Sequence, residues 1–208
     1  MAHAHWDSAR KGRFGAPQAA NNDTAPARTP IIRSAPIAPE RIETARMVGE
    51  RLALEHEDDL VKLLLDPRVA QTMWWPDEAQ TRVNVRAGLK RKLLHWEHHG
   101  FGQWLFRDSV TGAMVGRGGP QYTLASGRQE VEIGWVIVPE RWGEGLATEL
   151  ARGSLEVAFG PLALEEVIAY TQPDNRASRR VMEKAEFRYE REIVVRGRRH
   201  VLYRRRAS

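Results

Sequence analysis

The stretch that most restricts what this chain can fold into is Val136-Ile-Val-Pro-Glu-Arg-Trp-Gly-Glu-Gly-Leu-Ala147. It ends an apolar strand, passes Pro139 and turns through Gly143 and Gly145. It then runs into a segment with Ala147, Leu150, Ala151, Ser154, Leu155 and Ala158 along one helical side. A strand that turns directly into a helix places the helix's first N–H groups, which lack partners within it, around a concavity suited to anionic oxygens. Glycines at 143 and 145 let backbone approach such a ligand without a Cβ in the way, and Arg141 adds a cation. The alternative is that the glycines only turn the chain; strand, helix and arginine together favour the anion site. Two nucleotide loops are excluded by inspection. Gly-x-Gly-x-x-Gly would need glycine where Thr148 stands, and a P-loop would need Gly-Lys-Ser/Thr.

The elements around this turn imply one α/β domain. A strand is expected over 46–54, a helix from Glu57 that stops at Asp66-Pro67, and a second helix over about 78–98 with Val85, Leu89, Leu93 and Trp96 as its buried stripe. Strands follow over 102–107, 113–118 and 130–138, then the helix after Gly145 and a strand over 166–171. A short helix over 175–185 and a hairpin turning at Arg196-Gly197-Arg198 complete the order. Residues 1–43 carry five prolines (Pro17, Pro26, Pro30, Pro36, Pro39) and no apolar period, so they are expected to form a disordered arm ahead of a domain over 44–208.

The absence of cysteine removes disulfides, thiolate metal sites and a cysteine nucleophile together. The seven histidines show no metal-ligand spacing, and His95, His98 and His99 are placed at a solvent-facing helix end, so no metal is expected. No apolar run is long enough for a membrane span and no signal peptide is visible, which makes the cytoplasm the expected compartment. The net charge of +5 is modest and spread along the chain, giving no support to nucleic-acid or ribosome binding beyond the run Arg204-Arg-Arg206.

With Arg141-x-Gly143-x-Gly145-x-Ala147 in place, the chain resembles the GNAT N-acetyltransferase superfamily, in the branch that includes the RimJ and RimL enzymes. Val131-Glu-Ile-Gly-Trp-Val-Ile-Val-Pro139 looks like that family's central strand. Asp174-Asn-Arg-Ala-Ser178 opens what looks like its Asn-x-x-Ser helix, ending at Lys184-Ala-Glu-Phe187. The resemblance runs from about Thr44 to Tyr203. It implies a mixed, mostly antiparallel sheet flanked by helices, and transfer of an acetyl group from acetyl-CoA to a primary amine by direct attack. The acetyl-CoA contacts it implies are Val136, Ile137 and Val138 on the strand, Arg141, Trp142, Gly143, Glu144 and Gly145 in the turn, Leu146, Ala147 and Thr148 on the helix, and Asn175 and Ser178. A monomer or homodimer is expected.

An amine with a pKa of about 10 needs a base, and Glu132 on the central strand is the candidate, with Glu130 in reserve. The alternative is that Glu132 pairs with an arginine or faces solvent. An oxyanion donor is expected from the backbone of 135–138, where the family's strand splays from its neighbour. Ser178 is placed as donor to the departing thiolate, against the plainer role of satisfying the helix end. Two departures stand out. Met182 occupies the position where many relatives have tyrosine, and Glu186 replaces a glycine that usually supports a positive-φ helix ending. Trp74, Trp75 and Trp104 are candidates for lining the acceptor pocket or for the core. A catalytically silent acyl-CoA-binding module is the competing function.

Overall fold

The computed structural model describes residues 37–73 and 81–207. The expected disorder of residues 1–36, and the placing of Trp74 and Trp75, lie outside the described residues. The strands are β1 (Arg41–Glu43), β2 (Met47–Arg51), β3 (Trp104–Asp108), β4 (Met114–Ala125), β5 (Arg128–Ile137), β6 (Glu166–Thr171), β7 (Arg188–Val195) and β8 (Arg198–Arg206). They form one sheet in the order β1-β2-β3-β4-β5-β6-β8-β7. Every pairing is antiparallel except β5 with β6. The helices are α1 (Glu57–Leu64), α2 (Pro67–Met73), α3 (Arg82–His99), α4 (Leu146–Phe159) and α5 (Arg176–Lys184).

Strand alternation divides the core into two layers. Trp104, Phe106, Val115, Ile133 and Ile137 pack against Leu146, Leu150 and Ala151 of α4 and Met182 of α5. On the other face Leu105 and Val136 meet Leu60, Leu63 and Leu64 of α1 and Val85 and Leu89 of α3. Burying each such side chain contributes about 1.5–3 kcal/mol. The Thr81 side chain caps α3 by accepting from the Asn84 N–H at 3.2 Å, and Gly100 ends it in the left-handed region at φ +70.

Three expectations change. The domain begins before residue 44: β1 pairs with β2, Ala38 N–H donates to Gly100 O at 2.8 Å, and the Trp104 indole donates to Pro39 O at 3.0 Å. These contacts tie residues 38–43 to the sheet edge. Pro67 does stop α1, but it also opens α2, because a proline's missing N–H is harmless in a first helical turn. Finally, the strand expected to end at Gly118 continues to Ala125 and turns at Ser126-Gly127 into β5, giving a long central hairpin. Helix α4 closes over its glycines: a Cβ on Gly118 would stand 2.5 Å from Leu150.

Candidate active site

The turn between β5 and α4 has the geometry its glycines imply. Gly143 and Gly145 lie at φ +85 and +83, a region that strains any residue with a side chain. Among the described residues, the N–H groups of Gly143, Glu144, Gly145, Leu146 and Ala147 have no hydrogen-bond acceptor; the Thr148 N–H is the first to find one, Gly145 O at 3.1 Å. Consecutive unpaired donors at the start of a helix attract anions, reinforced by the helix dipole. Space beside Gly143 is open, with nothing within 4 Å of an added Cβ.

Side chains around the turn hold its shape. Arg141 donates to Glu144 at 2.7 Å and to Asp108 at 3.1 Å, so the cation expected to meet phosphate is matched by carboxylates. The N–H groups of Thr111 and Val110, followed by Arg141, hold the Asp108 carboxyl down to about 2. The Trp142 indole donates to Ile137 O at 2.8 Å.

That carbonyl is available because β5 and β6 separate. Their register contains the single pair Glu132↔Ile168, although β6 runs on to Thr171. On the other edge, Val138 N–H donates to Val115 O at 2.9 Å. Since backbone groups alternate sides along a strand, the N–H groups of Trp135 and Ile137 face the opening where β6 has departed.

Glu132 projects from β5 on the α3 face of the sheet into a cluster of polar side chains. Its carboxylate accepts from Gln121 Nε2 at 3.1 Å, and Gln121 Oε1 accepts from Lys92 Nζ at 2.9 Å and from Gln103 Nε2 at 3.0 Å. The Tyr170 hydroxyl on β6 lies 3.3 Å from Thr123 Oγ1 and feels the Glu132 charge. Burial pushes the Glu132 carboxyl up against the opposing pull of Gln121, Lys92, Tyr170 and Arg117. Burial, then the charge of Glu132, lifts the Tyr170 hydroxyl to about 12, so it stays protonated and donates. Oε1 of Glu132 lies 3.6 Å from where a Cβ on Gly134 would stand, with Gln103 Nε2 at the same distance, so the carboxylate lies over the bare backbone of Gly134.

A cavity of about 460 Å³ opens beside this cluster between α1, α3, β4, β6 and the β7–β8 turn. Arg117 and Lys92 both line it. Burial pushes the Arg117 guanidinium down to about 10 and the Lys92 ammonium to about 7. His95, on the rim, accepts from Tyr122 N–H through Nε2 at 2.9 Å and meets Phe101 O through Nδ1 at 2.8 Å. That pairing requires the neutral ring with its proton on Nδ1.

Glu130, the reserve base, is committed elsewhere. It is buried at 8% exposure against Arg204, with both guanidinium contacts at 3.1 Å. Arg204 also meets Glu166 and Glu190, Arg205 meets Glu186 and Arg206 meets Glu166, so the basic run is an ion-pair ladder on β8. Trp104 is fully buried core and does not line the cavity. Asn175 caps α5, accepting from Ser178 N–H at 3.1 Å, while the half-buried Ser178 hydroxyl has no hydrogen-bond partner among the described residues. Glu186 adopts φ +62, the conformation glycine would take without strain. The described residues contain no cluster able to hold a metal, and none of their helices is long and apolar enough to cross a membrane.

Sequence reasoning missed Lys92, Arg117, Gln121 and Tyr170. One signal was present for Lys92: it falls on the buried stripe of Val85, Leu89 and Trp96, where a lysine is out of place.

A family model described as an acetyltransferase (GNAT) domain matches residues 46–188. Among curated proteins, the FsC-acetyl coenzyme A-N(2)-transacetylase of Aspergillus fumigatus is 32% identical over 149 residues, 68% of this chain and 62% of that protein. Among solved structures, a GNAT-family acetyltransferase from Bordetella pertussis superposes with a TM-score of 0.69 at 22% identity, covering 80% of this chain and 99% of that one. RimJ of Mycobacterium smegmatis, solved with a CoA-disulfide, gives 0.61 at 19% identity over 77% of this chain and 82% of its own. These likenesses to solved structures establish the fold. The chain spans about three fifths of the length of the curated relatives it matches, 63% and 62% for two of them.

Proposed function

The chain belongs to the GNAT acetyltransferase family, and from that premise we propose that it moves an acetyl group from acetyl-CoA to a primary amine by direct attack. The observation that carries this reading is the run of unpaired N–H groups from Gly143 to Ala147 beside the opening between β5 and β6. Acetyl-CoA supplies an acyl group on a thiolate leaving group, together with a diphosphate that fits those donors. Gly143 to Ala147 would hold the diphosphate, with Arg141 keeping the turn in shape. Val136, Ile137 and Val138, with Trp142, Thr148 and Asn175, would flank the arm. The reading takes the chain as a cytoplasmic monomer or homodimer.

In this proposal Glu132 takes the proton from the acceptor amine, directly or through one water. Its raised pKa makes it a better base than an ordinary carboxylate. The N–H groups of Trp135 and Ile137 stabilise the oxyanion that develops on the carbonyl oxygen of the acyl group. The Ser178 hydroxyl donates to the departing thiolate. The name of the Aspergillus relative, a coenzyme A-dependent transacetylase acting at a nitrogen, supports an amine as acceptor. The buried Glu132, held by Gln121, favours a working enzyme over a silent binding module, because a binding module has no use for a buried carboxylate beside the acyl site.

The test is incubation of the purified protein with acetyl-CoA and a panel of primary amines, following free thiol. Thiol release that depends on the amine, with acetylated amine confirmed by mass, is expected. Binding of acetyl-CoA with no amine-dependent release across the panel would leave the silent module as the correct description.

A further inference from the structure

The charges around the cavity do not balance. Arg117 is 7% exposed, and its side-chain partner is the neutral Gln103 oxygen. Its Nε is buried with no hydrogen-bond partner. Lys92, beside it, donates to the neutral Gln121. The carboxylate acting on both is Glu132, which accepts from Gln121. Among the described residues no aspartate or glutamate lines the cavity, whereas Arg91 and Arg196 stand at its mouth. A buried guanidinium without an anionic partner is costly, and such an arrangement persists where a ligand supplies the missing charge.

We infer that the acceptor carries a carboxylate next to its amine, and that Arg117, with Lys92, binds that carboxylate while the amine faces Glu132. This rests on the acetyltransferase reading and narrows its acceptor to compounds of amino-acid type. Arg117 hydrogen-bonds no carboxylate among the described residues, and the carboxylate of such an acceptor would supply the charge it lacks. The planar guanidinium fork matches a carboxylate. The cavity volume suits a small molecule. The same arrangement discriminates: an acceptor with a neutral group at this position leaves Arg117 buried and unpaired, so the site rejects it.

The test compares free α-amino acids with their carboxamides as acceptors at saturating acetyl-CoA. The carboxylates are expected to show kcat/KM at least about 30-fold above their amides. Arg117→Met should erase that preference by raising KM for the carboxylates, while acetyl-CoA still raises the melting temperature of the variant. It should also raise the ligand-free melting temperature by about 2–4 °C, since an apolar side chain replaces an unpaired buried charge. A purely structural role for Arg117 would lower it. Arg117→Lys keeps the charge without the fork and should retain part of the preference. Equal use of amides and acids by the wild type, or undiminished preference in Arg117→Met, overturns the inference while leaving the acetyltransferase reading intact. Absence of acetyl-CoA binding to the wild type would instead bring down that underlying reading.

Discussion

The two ends of the proposed reaction path are built from different materials. On the α4 side, the turn from Gly143 to Ala147 offers backbone N–H groups, and its side chains serve only to keep the loop in shape. On the α3 side, the cluster is made of side chains: Lys92, Gln103, Arg117, Gln121, Glu132 and Tyr170 arrive from three strands, a helix and the segment leading into β3. Backbone donors recognise any diphosphate and depend on conformation alone. A side-chain cluster can be retuned residue by residue, so in this architecture acceptor choice is adjustable while the acyl donor is fixed.

The strongest way to break this comparison is to remove the proposed base. Glu132→Gln should lower kcat by roughly 10²–10³-fold while leaving KM for acetyl-CoA within about threefold. The rising limb of the wild-type pH–rate profile, governed by the raised Glu132 pKa, should disappear with it. An unchanged kcat would move the base elsewhere in the cluster.

Next comes the backbone side. Gly145→Val places a β-branched residue at φ +83, where the nearest neighbour of an added Cβ is Arg46 at 3.8 Å, so the penalty is conformational more than steric. It should destabilise the fold by about 1–3 kcal/mol in denaturant titrations. It should also raise KM for acetyl-CoA by roughly 10–100-fold with a much smaller change in KM for the acceptor. A variant impaired equally toward both substrates would deny the division of labour.

The contrast in legibility follows the same line. The turn was readable because Gly143 and Gly145 are local signals, and the β6 bounds follow from an apolar run that nothing interrupts. The cavity was not readable beyond Glu132, since Arg117 and Tyr170 become neighbours only once β4 and β6 are placed on either side of β5. The strand expected over 113–118 runs on to Ala125, and Gly118 lies mid-strand where Leu150 of α4 packs closely. β1 is three residues long and is defined by its partner more than by its own pattern.

Glu186 sharpens the point about backbone. It holds a left-handed conformation without glycine, and its ion pair with Arg205 at 2.9 Å leaves the Glu186 side chain largely exposed. Glu186→Gly should therefore stabilise the protein by about 1 kcal/mol, read from the denaturation midpoint, because removing αL strain outweighs a surface pair.

The smallest expected effect is a pH dependence at the cavity rim. Burial lowers the His95 pKa from 6.5, with the Phe101 hydrogen bond opposing, so the folded state favours the neutral ring. That stability is complete above pH 6.5 and is lost as the pH falls through the folded value. His95→Gln should flatten the fall in melting temperature between neutral and mildly acidic pH, but only in part. His56, lowered chiefly by burial as well, retains its share of the slope.

Amide hydrogen exchange, resolved by residue and measured with and without acetyl-CoA, addresses the diphosphate site itself. The N–H groups from Gly143 to Ala147 should exchange freely in the unliganded protein and become strongly protected when acetyl-CoA binds. Tight binding of acetyl-CoA that leaves these amides exchanging as before would show that the diphosphate lies elsewhere.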